Sequence, residues 1–150
     1  MLEKPKWPTY FLEIAKQVST RTTCLSPGKG AVIVINKRII ATGYNGAPSN
    51  TKDCKYDTGM CYKRSLGFGS GEGHDKCKAI HAEINAILQA ARQGISIEGA
   101  EMYCTHKPCS ECAKLIVNSG IVKVTYLEDY PNDSEELFHE AQIKIKRWNP

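Results

Sequence analysis

The sequence predicts an α/β fold, a mixed five-stranded sheet with helices on both faces. Three observations carry it: two β-branched runs joined by a two-residue turn, strand–helix alternation through the second half, and a length of 150 residues that are 41% hydrophobic and 24% charged. That composition is ordinary for a compact chain and far from the disordered or disulfide-scaffold classes. A chain of this length buries roughly two thirds of the surface its unfolded form exposes, so one domain over 1–150 is expected.

The first periodic segment runs over about 8–21, where Phe11, Ile14, Ala15 and Val18 share one helical face. Ala31–Ile35 and Arg38–Thr42 flank Asn36-Lys37 and read as a hairpin; their near-continuous apolarity suggests a central, covered sheet. The GYNGAP loop, 43–48, follows. The stretch 51–77 then has few large apolar residues, five glycines and most of the spare cysteines, and it cannot build a core alone. It is an insertion rich in Cys and His. Beyond it come a helix from His81 to about Gln93 stopped by Gly94, a strand 101–105, a helix 110–119 stopped by Gly120 and a strand 122–126. Asp133 is a candidate N-cap with Glu136 as its capping-box partner, and a strand 143–147 closes the chain.

A net charge of +4 without a dense Lys/Arg tract argues against a nucleic-acid partner. The nearest run, Lys144, Lys146 and Arg147, alternates with isoleucine and reads as a solvated strand face. No segment reaches the ~20 apolar residues of a membrane span and the N-terminus has no signal-type run, so a cytoplasmic location is expected. Seven cysteines, an odd number, in a reducing compartment point to metal or catalysis and not to a closed set of disulfides.

His81-Ala82-Glu83 opens one helix and Pro108-Cys109-Ser110-Glu111-Cys112 opens the next, each after an irregular segment. Cysteines three apart at a helix start point the same way, and the N-terminal dipole favours the thiolates that metal binding needs. Pro108 starts its helix where a missing N–H costs nothing. Two Cys and one His leave a fourth tetrahedral position open to water, as catalytic zinc requires and structural zinc does not. Glu83, not a ligand, is placed to move protons. A lone CxxC is often a structural half-site or redox pair, and a lone HxE is usually a helix surface. HxE followed by PCxxC about 27 residues on is the signature of zinc deaminases that act on nucleobases.

With CLSPGKGAVIV, RIIATGYNGAP, HAEINAI, ISIEGAEMYCTHKPCSECAKLIVNSGI and VTYLEDYP, the chain resembles the deoxycytidylate deaminase family over nearly its whole length. The resemblance implies a three-layer α/β/α sandwich of the cytidine deaminase type and hydrolytic deamination of dCMP to dUMP and ammonia, which supplies dUMP for thymidylate synthesis. It places zinc on His81, Cys109 and Cys112, the proton shuttle on Glu83, a sugar contact on Asn45 and a substrate-side aromatic on Tyr130, with Tyr126 as neighbour. It also implies a homo-hexamer regulated by dCTP and dTTP. Ser26-Pro27-Gly28-Lys29 stands where the family carries basic residues followed by valine, so the resemblance does not carry over the nucleotide contacts that those basic side chains make.

Asn45-Gly46 is equally a favoured tight turn, and Tyr126 and Tyr130 could be core or rim aromatics. Cys24, Cys54, Cys61, His74 and Cys77 offer five soft ligands for a second, structural zinc; the preferred set is Cys24, Cys54, His74 and Cys77, with Cys61 as substitute, against a set of free thiols. Lys52, Lys107 and Tyr130 are candidate donors to a 5′-phosphate. Two other functions compete: a zinc deaminase of another base (cytidine, guanine, tRNA adenosine or a riboflavin precursor), and a zinc-stabilised binding module without catalysis. A binding module has no need of Glu83.

Overall fold

The computed structural model describes residues 1–150. Its elements in order are α1 (Trp7–Ser19), β1 (Gly30–Ile35), β2 (Arg38–Tyr44), the short α2 (Tyr62–Ser65), α3 (Ala82–Arg92), β3 (Glu101–His106), α4 (Ser110–Val117), β4 (Lys123–Glu128), α5 (Ser134–Glu140) and β5 (Lys144–Arg147). One sheet holds all five strands in the order β2-β1-β3-β4-β5. β1 runs antiparallel to β2 and β3, whereas β3, β4 and β5 are mutually parallel, so the sheet is mixed as expected.

Alternation along β1 sorts the core into two layers. Val32 and Val34 point to one side with Tyr103, and meet Phe11, Leu12 and Ala15 of α1. Ala31 and Ile33 point to the other, where they pack with Ala82, Ala86 and Ala90 of α3, Ala113 and Ile116 of α4 and Phe138 of α5. Helices therefore cover both faces, in a three-layer α/β/α sandwich. Phe11, Phe138, Ile33 and Ile116 are at most 1% exposed, each worth about 1.5–3 kcal/mol of burial. The C-terminus is fastened to α1 by Trp148 Nε1, which donates to Thr9 Oγ1 at 2.9 Å. No helix is long and apolar enough to cross a membrane.

Asn36 and Lys37 both have positive φ, 48° and 61°, the twisted two-residue turn that a hairpin of this length requires. Four expectations need correction. β2 is an edge strand, with Arg38 and Ile39 exposed, so of the two hairpin strands β1 alone is covered on both faces. Asn45 and Gly46 are absent from the positive-φ residues; the chain bends at Asn45 and Gly46 bridges Ile80, so no two-residue tight turn forms. Asp133 sits at the N-cap of α5 but makes no capping box: its carboxylate accepts from Ser110 Oγ at 3.1 Å instead, tying α4 to α5. Cys109, not Pro108, is the residue at the start of α4; Pro108 precedes it, and its carbonyl accepts from Ser134 Oγ at 2.9 Å and Asn132 Nδ2 at 3.2 Å.

Candidate metal centre and substrate cavity

His81 and Cys109 are the N-cap residues of α3 and α4, both with extended backbone, so each helix presents its positive end to one point. His81 Nδ1 lies 3.3 Å from Cys112 Sγ and 3.4 Å from Cys109 Sγ. All three donor atoms fall within 4.8 Å of one another. The Cys112 backbone N–H also donates to Cys109 Sγ, at 3.5 Å.

Electrostatics reinforce the geometry. The Cys112 thiol and the His81 ring donate to Cys109 and hold its thiol at a pKa of about 3, against burial. Cys112 is pushed up by its bond to that sulfur, while His81 is raised chiefly by the same partner. Cys109 is thus held toward the thiolate form that a divalent cation binds. Two soft sulfurs and one imidazole, gathered without any carboxylate among the three, fit zinc.

Glu83, one residue inside α3, is 4% exposed. Burial raises its pKa, with His81 and the Cys112 thiol among the groups that oppose the rise. A carboxyl whose protonated form is favoured in this way is suited to take up and hand on a proton, as a general acid/base must. α3 is seated by close backbone packing. A Cβ on Gly43 of β2 would stand 2.2 Å from the Ala82 carbonyl oxygen and 2.4 Å from the Ala86 nitrogen. Asn85 completes the seat, its Nδ2 donating to the Tyr44 carbonyl at 2.8 Å.

A cavity of about 390 Å³ reaches His81, Glu83 and Cys109 from the surface. Asn45 and Tyr130 line it, and Asn45, 6% exposed, is fixed by the Lys29 N–H, which donates to its Oδ1 at 2.8 Å. Tyr126 does not line it; it is 6% exposed within the helix-covered core. Among the phosphate candidates, Lys107 lines the cavity but is only 5% exposed, donating to the Asn132 carbonyl at 2.9 Å and pairing with Glu135 at 3.0 Å. Lys52 is exposed and stands outside this lining. Sequence reasoning passed over Lys29, Lys63, Arg64 and His106, which line it too. Lys63-Arg64 is the only adjacent basic pair in the Cys/His-rich stretch, the one signal that pointed there.

The spare soft ligands gather at the cavity's flank. Cys24, Cys77 and His74 line the wall, with the His74 ring 6.2 Å from that of His81. Burial, then the thiols of Cys77, Cys54 and Cys61, push Cys24 up to about 11. Four cysteines therefore share one neighbourhood, less tightly gathered than the His81 trio.

Residues 5–128 match the cytidine and deoxycytidylate deaminase zinc-binding region. The chain is 38% identical to the ComE operon protein 2 of Bacillus subtilis over 149 residues, covering 97% of this chain and 73% of that one. It is 34% identical to the deoxycytidylate deaminase of Schizosaccharomyces pombe, covering 98% of this chain and 45% of that relative, so it spans less than half of it. A solved dCMP deaminase from the cyanophage S-TIM5, in complex with dCMP and dUMP, superposes with a TM-score of 0.73 at 28% identity, covering 98% of this chain and 100% of that one.

Proposed function

The chain belongs to the cytidine and deoxycytidylate deaminase zinc-binding family, and we propose that it hydrolyses the exocyclic amine of deoxycytidine monophosphate to give deoxyuridine monophosphate and ammonia. The observation that carries this reading is a buried carboxyl, Glu83, opening with His81 and Cys109 into one cavity whose lining holds four cations. Zinc held by His81, Cys109 and Cys112 supplies the Lewis acidity that makes water a nucleophile at neutral pH. Glu83 takes one proton from the attacking water and gives it to the ring nitrogen, then takes the second from the hydroxyl newly bonded to the ring carbon and gives it to the amine, which leaves as ammonia. Asn45 keeps a second lone pair on its Oδ1 for a deoxyribose hydroxyl, while Tyr130 borders the sugar side.

The test is ammonia release across nucleobases, nucleosides and nucleotides. Deoxycytidylate should exceed deoxycytidine in kcat/KM by at least ~10², because charge-assisted phosphate contacts are worth that much. Equal rates on nucleoside and nucleotide, or preference for a tRNA anticodon loop, would transfer the protein to another deaminase class.

A second, structural zinc is part of the proposal. Support comes from the gathering of Cys54, Cys61 and Cys77 around Cys24 and from the few apolar side chains in the segment. Cys24, Cys54 and Cys77 are three of its ligands, and His74, beside Cys24 and Cys77 on the cavity wall, is the fourth, with Cys61 as its rival. Assembly as a homo-hexamer responsive to dCTP and dTTP is also proposed. Leu88 of α3 and Leu115 of α4, 48% and 51% exposed, are apolar surface that such an assembly would cover. Light scattering with and without each triphosphate measures it.

A further inference from the structure

The cavity carries more positive charge than deamination of a base requires. Four cations line it, Lys29, Lys63, Arg64 and Lys107, against one carboxyl, Glu83. Lys107 is neutralised by Glu135 and donates to the Asn132 carbonyl, so it supports the loop before α5 and its charge is already matched. The other three make no ion pair with any carboxylate. Lys29 stacks its ammonium over the Tyr130 ring at 4.4 Å, half-buried at the cavity wall. Arg64 reaches across from α2, and its Nη2 donates to Ser26 Oγ at 3.2 Å. A guanidinium has five N–H donors, so that single bond leaves a planar edge free for two oxygens of one anion.

We infer that Arg64, together with Lys29 of the same lining, is the clamp for the substrate's 5′-phosphate, so that the Cys/His-rich segment sets the preference for a nucleotide over a nucleoside. This rests on the deaminase reading for the identity of the base, but the charge argument stands on the cavity alone. Glu83 lies deep and buried whereas Arg64 is exposed, which is the order in which a nucleotide presents its base and its phosphate. The segment is light on packing and is tied back to the body by a few polar links. They include the Lys55 N–H to the Thr23 carbonyl at 3.1 Å, Lys78 Nζ to the Lys52 carbonyl at 2.6 Å, and the Arg64–Ser26 bond itself.

The experiment compares Arg64→Gln and Arg64→Lys with the unsubstituted protein, zinc-loaded, in two readouts. In kinetics, the ratio of kcat/KM for deoxycytidylate to that for deoxycytidine should fall by about 10- to 100-fold in R64Q, and less in R64K, which keeps charge but loses the fork. In calorimetry, deoxyuridine monophosphate should bind R64Q at least about tenfold more weakly, while the affinity for deoxyuridine is far less affected. Lys52→Gln, whose side chain stands outside the cavity, serves as control and should leave both readouts unmoved. A ratio unchanged in R64Q, or nucleotide and nucleoside binding weakened alike, overturns the clamp. If the unsubstituted protein fails to favour deoxycytidylate, the deaminase reading fails instead. The clamp is then judged by calorimetry alone: weaker nucleotide binding in R64Q sustains it and unchanged binding overturns it.

Discussion

Glu83 and His81 are two residues apart on one helix start, yet only His81 joins the donor trio. His81 turns its Nδ1 to the two sulfurs, whereas Glu83 is buried beside them and belongs to none of the donor trio. Metal binding and proton transfer should therefore separate by mutation. Glu83→Gln is expected to keep its zinc and lose at least ~10³ in turnover, measured by metal analysis and ammonia release on the same sample. His81→Ala or Cys112→Ala should lose metal and activity together. Near-normal turnover in E83Q would remove this carboxyl from the chemistry. The same scale shows what a motif hides. HxE and PCxxC were legible because ligand chemistry restricts residue type at fixed spacing. Lys29 and Arg64 were not, because a lysine in a loop looks alike whether it faces solvent or a cavity.

The helix start that carries His81 and Glu83 depends on a strand that carries no donor of the trio. α3 lies so close over β2 that Gly43 has no room for a side chain, both near atoms being helix backbone that cannot rotate away. Gly43→Ala should cost about 1–3 kcal/mol in denaturant unfolding, since α3 must lift or the strand must bend. Lifting displaces His81 and Glu83, so turnover per folded molecule should fall by up to about 10². Unchanged stability would mean that α3 slides outward freely, and the seat would then not position the site. The helices and strands themselves were readable from apolar periodicity and glycine stops. Errors fell at their ends, where tertiary partners decide. Asp133 looked like half of a capping box, but Ser110 on the neighbouring helix takes its carboxylate. Asn45-Gly46 looked like a tight turn, but after a bend at Asn45 the chain carries Gly46 into pairing with Ile80. The hairpin appeared central because both of its strands are apolar, and only the sheet order reveals which one is the edge.

For the whole molecule, the sandwich folds on two apolar layers, but the stretch 51–77 adds little to either: none of its residues belongs to the buried core. Its only regular pieces are α2 and the single turn His74–Lys76, too short to be stable alone. Four cysteines share a neighbourhood at this segment, and a metal joining Cys24, before β1, to Cys54 and Cys77 would close the loop that packing cannot. Protein purified without chelator should therefore contain about two zinc per chain. Mild chelation should release one ion first if the looser cysteine site exchanges faster than the compact trio. Proteolysis should then cut within 51–77 while the sandwich stays folded. Loss of that ion should also weaken deoxyuridine monophosphate binding, because α2 carries Arg64. His74→Ala and Cys61→Ser identify the fourth ligand: the substitution that lowers the content to about one zinc names it. A ratio near one in active, undamaged protein would reject the second site. The segment would then be held only by its few polar links to the body.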